Sequence, residues 1–213
     1  MKEDTVKLVL SIIVIVGAYL VGSIPVGLLL VRVTTGKDVR QIGSGRTGGT
    51  NSLRAAGPWV ALLVVVCDVL KGLLPVLLAR AVVGNPVVEA LAGVAAVTGH
   101  NYSVFIGFKG GAGTMTNIGG AIGLWPWSVA VVAAVGIPVV AVTRQASVGS
   151  IVVALLLPII YALRAGLGAG PWMHLIHGLG TAALVIWSLR PNIKRLLNGT
   201  EQRVKLELHN ETG

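Results

Sequence analysis

Residues 6–31 run VKLVLSIIVIVGAYLVGSIPVGLLLV, with one charge, Lys7, at the start and none after it. As an α-helix this stretch would extend about 39 Å, more than the roughly 30 Å of a bilayer's hydrocarbon core. It is too long for the apolar region of a secretory leader, and no A-x-A-like cleavage site follows, so it reads as a retained membrane span. Comparable runs recur along the chain. Spans are expected at about 7–31, 59–83, 87–107, 114–124, 126–143, 148–164 and 172–190. The fourth is too short to cross alone; it is broken or re-entrant, or continues through Trp125-Pro126-Trp127. The expected fold class is therefore all-α: a polytopic membrane helix bundle of about seven transmembrane helices. It forms one domain over 1–213, with a mobile polar tail over 198–213.

Composition agrees. The 213 residues are 54% hydrophobic and 12% charged, whereas a soluble domain carries about 25% charged residues. The 29 glycines suit close helix packing or backbone lining a polar cavity. Cys67 is the single cysteine, so no disulfide forms within the chain. A net charge of +9 is read as a positive-inside bias plus an anionic substrate rather than as nucleic-acid binding.

The cations have an uneven distribution. Arg32, Lys37, Arg40, Arg46 and Arg54 fall between the first two spans, and Arg190, Lys194, Arg195, Arg203 and Lys205 lie in the tail. Lys109 and Arg144 occupy alternate later loops, while the intervening loops hold only Arg80, none, and Arg164. Placing the richer loops inside puts the N-terminus out and the C-terminus in, which requires an odd number of spans.

Chemistry-bearing residues gather on that basic side. Gly43-Ser44-Gly45-Arg46-Thr47-Gly48-Gly49-Thr50-Asn51-Ser52-Leu53-Arg54 joins flexible backbone to hydroxyl, amide and guanidinium donors, a combination suited to an anion. A flexible linker would need neither the hydroxyls nor the arginines, and no Gly-Lys-Ser/Thr ending makes it a Walker A loop. Gly99-His100-Asn101-Tyr102-Ser103 and then Phe108-Lys109-Gly110-Gly111-Ala112-Gly113-Thr114 precede the short span, where a helix N-terminus would favour a phosphate. Asp68 and Lys71 share a helix face at i, i+3 inside the membrane, pointing to a polar interior or a structural ion pair. Asn192-Ile193-Lys194-Arg195-Leu196 and Gly199-Thr200-Glu201 follow the last span. Ser147 and Ser150 lie at the inner mouth of the sixth. His174 and His177 are expected at the outer interface. No carboxylate cluster suited to magnesium, no H-x-x-x-x-D box and no G-x-S-x-G elbow is present. Several anion sites beside an apolar bundle suit a phosphate-bearing amphiphile.

These motifs resemble the bacterial acyl-phosphate:glycerol-3-phosphate acyltransferases over nearly the whole chain. The likeness includes Gly22-Ser23-Ile24-Pro25, Asp38 and Arg40, the Gly43–Arg54 loop, Asp68-Leu70-Lys71-Gly72, Gly99-His100, the Phe108–Gly113 turn, Ser147 and the Asn192–Glu201 tail. It implies a seven-helix membrane fold. It also implies acyl transfer from acyl phosphate to the sn-1 hydroxyl of glycerol 3-phosphate, with membrane lipid around the protein and no cofactor or metal. Under this resemblance Ser44, Gly45, Arg46, Gly48, Thr50, Asn51, Asp68, Lys71, His100, Gly110, Gly111 and Gly113 are the expected substrate-binding residues. Arg54, Lys109, Ser147 and Asn192 are the expected catalytic ones.

The chain departs from the family pattern at three positions. Arg46 replaces an Asn, Ala112 replaces a Lys, and Leu189 stands where a His is usual. His177 is twelve helical residues away from Leu189, about 18 Å, and does not substitute. Arg46 is expected to supply the charge absent at Ala112. A transporter or scramblase for small phosphate esters, and a catalytically impaired lipid-binding homologue, are the alternative readings.

Overall fold

The computed structural model describes residues 2–204. Among these residues there are nine α-helices, two short 3-10 turns and no strand. The first expected span is two helices. α1 (Lys2–Ser23) carries Glu3 and Asp4 in its first turn, where negative charge complements the helix dipole. It stops before Ile24-Pro25, because the proline lacks an N–H. α2 (Val26–Thr35) resumes directly and ends at Gly36, whose φ of 70° is left-handed and whose amide bonds to the Arg32 carbonyl.

Asp38 then caps the turn Val39–Gln41. Hydrogen bonds from Arg40 hold the Asp38 carboxyl down at about 2. α3 (Gly49–Val82) begins well before the expected boundary at 59. Gly57-Pro58 divides this stretch into a short helix and a long one that meet at a kink, and the long one starts where the second span is expected, near 59. Gly57 takes φ 82°, ψ −179°, a conformation readily adopted only without a Cβ. The residues of the glycine-rich loop from Gly49 onward are therefore the first turns of a helix.

Asn85 caps α4 (Pro86–Asn101) by accepting from the Val87 amide. α4 ends six residues short of the expected 107, as the glycine-containing turn takes over. α5 (Thr114–Leu124) has 11 residues and reaches only about 16 Å, so the fourth segment is short as expected. It is separated from α6 (Ser128–Thr143) at Trp125-Pro126-Trp127. α7 (Ala146–Gly166) and α8 (His174–Ser188) follow, and α9 (Arg190–Leu197) is a short terminal helix. With α1 and α2 taken together, α1/α2 and α3 to α8 make seven apolar helical segments. Three of them, Lys2–Thr35, Gly49–Val82 and Ala146–Gly166, are long and apolar enough to cross a membrane by length and composition.

The short α5 is the centre of the bundle, packed on α3, α4, α6, α7 and α8. Its approach to α3 is close on both sides. A Cβ at Gly72 would meet the Thr116 carbonyl oxygen, and one at Gly119 would meet that of Val69. Small residues allow this approach, which lets van der Waals packing hold helices together in lipid. Gly119→Val is expected to cost at least about 1–3 kcal/mol through overpacking, seen as a lower melting temperature in detergent.

Large apolar side chains face outward. Leu8, Ile12 and Ile13 of α1, Leu62, Leu63 and Leu74 of α3, and Ile159 and Leu163 of α7 are all exposed. Polar groups lie inside. His177 is fully buried between Gly93 and Gly120, whose Cβ positions its ring excludes. His174 is also buried, and both rings meet Tyr161 edge-on. The two histidines lie in the first turns of α8, where they were expected, and face into the bundle.

Candidate active site

The loop before α3 is tied together by one side chain. Asn51, in the first turn of α3, donates from Nδ2 to the Ser44 hydroxyl at 3.0 Å and to the Arg46 carbonyl at 2.9 Å. Its Oδ1 accepts from Arg54 Nη1 at 2.9 Å and from the Ser44 amide at 3.4 Å. The loop conformation and the direction of the Arg54 guanidinium therefore depend on the same amide. Gly43 has φ 58°, and a Cβ there would lie 2.5 Å from Asn51 Oδ1, so glycine is required twice over.

This network borders a cavity of about 630 Å³. Its polar wall includes Ser44, Arg46, Asn51, Arg54, Asp68, His100, Ser147 and Asn192. Its apolar wall includes Met115 and Ile118 of α5, Val129, Val132, Gly136 and Val140 of α6, and Val153 of α7. The α6 residues recur at helical spacing, so one stripe lines the cavity for most of the helix, about 16 Å. Charged and greasy walls share one space.

Across the cavity the chain end folds back. Gly199, with φ 68°, closes α9 in a left-handed turn, its amide bonding to Leu196 O and that of Thr200 to Arg195 O. The turn delivers Glu201 to three donors. Ser147 Oγ and Asn192 Nδ2 each donate to Glu201 Oε1 at 2.7 Å, and Arg195 Nε donates to Oε2 at 2.8 Å. The Val204 amide then donates to the Arg144 carbonyl at 2.7 Å. Within the tail expected over 198–213, Glu201 and Val204 thus bond back onto the bundle; 205–213 lie outside the described residues. Glu201 and Arg195 belong to a chemistry-bearing stretch expected from sequence, but neither was assigned a binding or catalytic role there. Their signal was Gly199, a helix stop that turns the next acidic residue back toward Arg195.

Burial pushes the Glu201 carboxyl up, but hydrogen bonds from Asn192, Ser147 and Arg195 outweigh it and hold it below its ordinary value. The folded pKa is depressed, so the docked carboxylate stabilises fully above its unfolded value of about 4.3 and loses that contribution as pH falls through the folded one. Glu201→Gln should therefore be less stable than the parent near neutrality, and the gap should close below about pH 4. Melting temperatures of both proteins across pH check this.

Asp68, Lys71 and His100 form a buried group. Lys71 Nζ lies 2.8 Å from Asp68 Oδ1, and His100 Nδ1 lies 3.5 Å from the same oxygen. Asp68 and His100 reach the cavity, whereas Lys71 sits behind them. Lys71 donates to the Ile24 carbonyl at 3.1 Å, at the break between α1 and α2. The expected ion pair is present: its carboxylate lines the cavity, and its ammonium also braces the helices.

The turn before α5 behaves differently from the sequence expectation. The Gly110 amide donates to Asn101 O at 3.1 Å and the Gly111 amide to His100 O at 3.0 Å. Both N–H groups are committed to the end of α4, and a Cβ at Gly111 would meet the His100 ring. The turn clasps His100 rather than presenting these amides to an anion. Phe108, at φ 60°, turns the chain so that Lys109 is exposed and outside the cavity lining. Gly113 and Thr114 do line it. Of the remaining expected residues, Gly48 and Thr50 line the cavity, while Gly45 does not; its amide closes the loop onto Ile42 O. Ala112 and Leu189 both border the cavity and pack in one apolar cluster with Ala154, Ala182 and Val185.

Comparison with known proteins places this arrangement. Residues 12–199 match the family described as glycerol-3-phosphate acyltransferase. The chain is 45% identical over 195 residues to a glycerol-3-phosphate acyltransferase of Desulforudis audaxviator, covering 91% of this chain and 96% of the relative. It is 46% identical over 191 residues to one from Geobacter sulfurreducens, covering 88% and 94%. Its fold is similar to the crystal structure of PlsY (YgiH), an integral membrane glycerol 3-phosphate acyltransferase, in the glycerol 3-phosphate form. The TM-score is 0.83 at 34% identity, covering 92% of this chain and 96% of that one. The lysophosphatidic acid form of the same protein gives a TM-score of 0.79 at 33% identity, covering 91% and 94%.

Proposed function

The chain belongs to the glycerol-3-phosphate acyltransferase family, and from that premise we propose how its cavity carries out the reaction. It is a multi-pass membrane acyltransferase that acylates glycerol 3-phosphate to lysophosphatidic acid. The proposed donor is an acyl phosphate. The sn-1 hydroxyl oxygen forms a bond to the acyl carbon, the bond from that carbon to the phosphate oxygen breaks, and inorganic phosphate leaves with the electron pair. The hydroxyl proton passes to the departing phosphate. An acyl phosphate is already activated, so the protein's task is to hold two anions and an alkyl chain together and to stabilise charge as it moves.

The observation that carries this reading is the single cavity with a cationic wall and an apolar stripe along α6. The stripe suits the acyl chain. Ser44, Thr50, Asn51 and Arg54 are assigned to one phosphate. Ser147 and Asn192 are assigned to orienting substrate oxygens: with its hydroxyl hydrogen on Glu201, Ser147 Oγ accepts from a substrate hydroxyl, while Asn192, fixed through one N–H, keeps its second N–H and its Oδ1 for substrate. Asp68 and His100 form the cavity's inner polar boundary. The positive-inside distribution supports a cytoplasmic position for this face, where a phosphorylated soluble acceptor is available.

The donor is tested with the purified protein, glycerol 3-phosphate, and either a long-chain acyl phosphate or the matching acyl thioester. Lysophosphatidic acid is expected from the phosphate alone. Product from the thioester alone would reject the proposed donor.

A further inference from the structure

We propose that Arg46 is a phosphate ligand of this cavity, presenting its Nη1 group to a substrate phosphate; this rests on the reading of the cavity as the acyl-transfer site. Arg46 leaves the loop before α3 and crosses to the far end of α8, where Nη2 donates to the Ser188 carbonyl. That bond anchors one side of the planar guanidinium. The other side, Nη1, is buried and has no hydrogen-bond partner. Arg46 lines the cavity.

A guanidinium stays protonated in proteins, so a buried N–H without an acceptor is costly unless something fills that role. The neighbouring groups do not. Arg195 lies close enough to lower the Arg46 pKa further after burial has done so, and Glu201 only partly opposes them. The Glu201 oxygens already take hydrogen bonds from Ser147, Asn192 and Arg195. Ala112 and Leu189 on the same cavity lining belong to an apolar cluster and offer no side-chain acceptor. Lys109, expected from sequence as a catalytic cation, is exposed and does not line the cavity. Two like charges, Arg46 and Arg195, therefore border one cavity in which Arg46 Nη1 is a buried donor that no protein group accepts from. A phosphate oxygen satisfies both requirements, and a guanidinium fork matches it in geometry.

Donor and acceptor each carry a phosphate, and kinetics tell them apart. Arg46→Gln and Arg46→Lys are purified, their melting temperatures are checked, and inorganic phosphate is titrated against each and the parent. The KM for acyl phosphate and for glycerol 3-phosphate is also measured. Loss of a charged hydrogen bond should weaken phosphate binding at least about tenfold in Arg46→Gln. Lysine keeps the charge without the fork, so Arg46→Lys should lose about threefold or more. A KM rise confined to acyl phosphate places Arg46 on the donor, and one confined to glycerol 3-phosphate places it on the acceptor; both support the proposal. Unchanged phosphate affinity and unchanged KM values in Arg46→Gln overturn it. Where that variant does not fold, unchanged phosphate affinity in Arg46→Lys overturns it instead. Phosphate titration does not depend on turnover. A parent that binds phosphate through Arg46 yet makes no product would reject the proposed donor and leave this inference standing.

Discussion

Asp68→Ala is expected to remove most of the folded protein from the membrane. Lys71 is 6% exposed, and Asp68 is its carboxylate partner at 2.8 Å. Removing one member of a buried pair leaves an uncompensated charge and costs about 3–5 kcal/mol. Total stability is only about 5–15 kcal/mol for a typical domain. Detergent-extracted yield and melting temperature should both fall sharply. The double variant Asp68→Ala/Lys71→Met tests the cause. Removing both charges at a buried site is often close to neutral, so it should recover much of the lost stability. A single variant that accumulates and melts like the parent would show that Lys71 does not depend on Asp68.

The largest effect on turnover is expected at Arg54. Its Nη1 is aimed by Asn51 Oδ1 at 2.9 Å, and the side chain reaches the exposed rim of the cavity. Arg54→Ala should lower kcat/KM by roughly 10²–10³, the usual scale for losing a preorganised donor to developing negative charge. Because the side chain is exposed, the melting temperature should stay close to that of the parent. Asn51→Ala should share much of the kinetic loss by freeing both the loop and the arginine, but it should also lower stability because Asn51 is buried. An Arg54→Ala protein with full activity would remove this residue from the mechanism.

The fold was readable because the solvent is lipid. Seven apolar segments announce themselves by length, and the short one at 114–124 was visible as too short. Gly57-Pro58 does separate two helices, so the expected start of the second span near 59 holds, while Gly49 to Arg54, expected as a loop, form a short helix before the kink. Ile24-Pro25 was read through, and it breaks the first segment. The site was legible where donors cluster in sequence, as at Ser44, Asn51 and Arg54. It was less so where function depends on a fold-back. Glu201 lies in a polar stretch whose composition resembles a loose tail, and only the three-dimensional meeting with Ser147, Asn192 and Arg195 gives it a place. The turn around Lys109 is the opposite case. Its glycines suggested a phosphate cradle, but two of their amides close the turn onto α4.

The most direct measurement is product stoichiometry with the purified protein supplied with acyl phosphate and radiolabelled glycerol 3-phosphate. The account predicts lysophosphatidic acid and inorganic phosphate in equal amounts, with both products lost together in Arg54→Ala. Phosphate released without lysophosphatidic acid, or no product from a folded protein that binds both substrates, would contradict it.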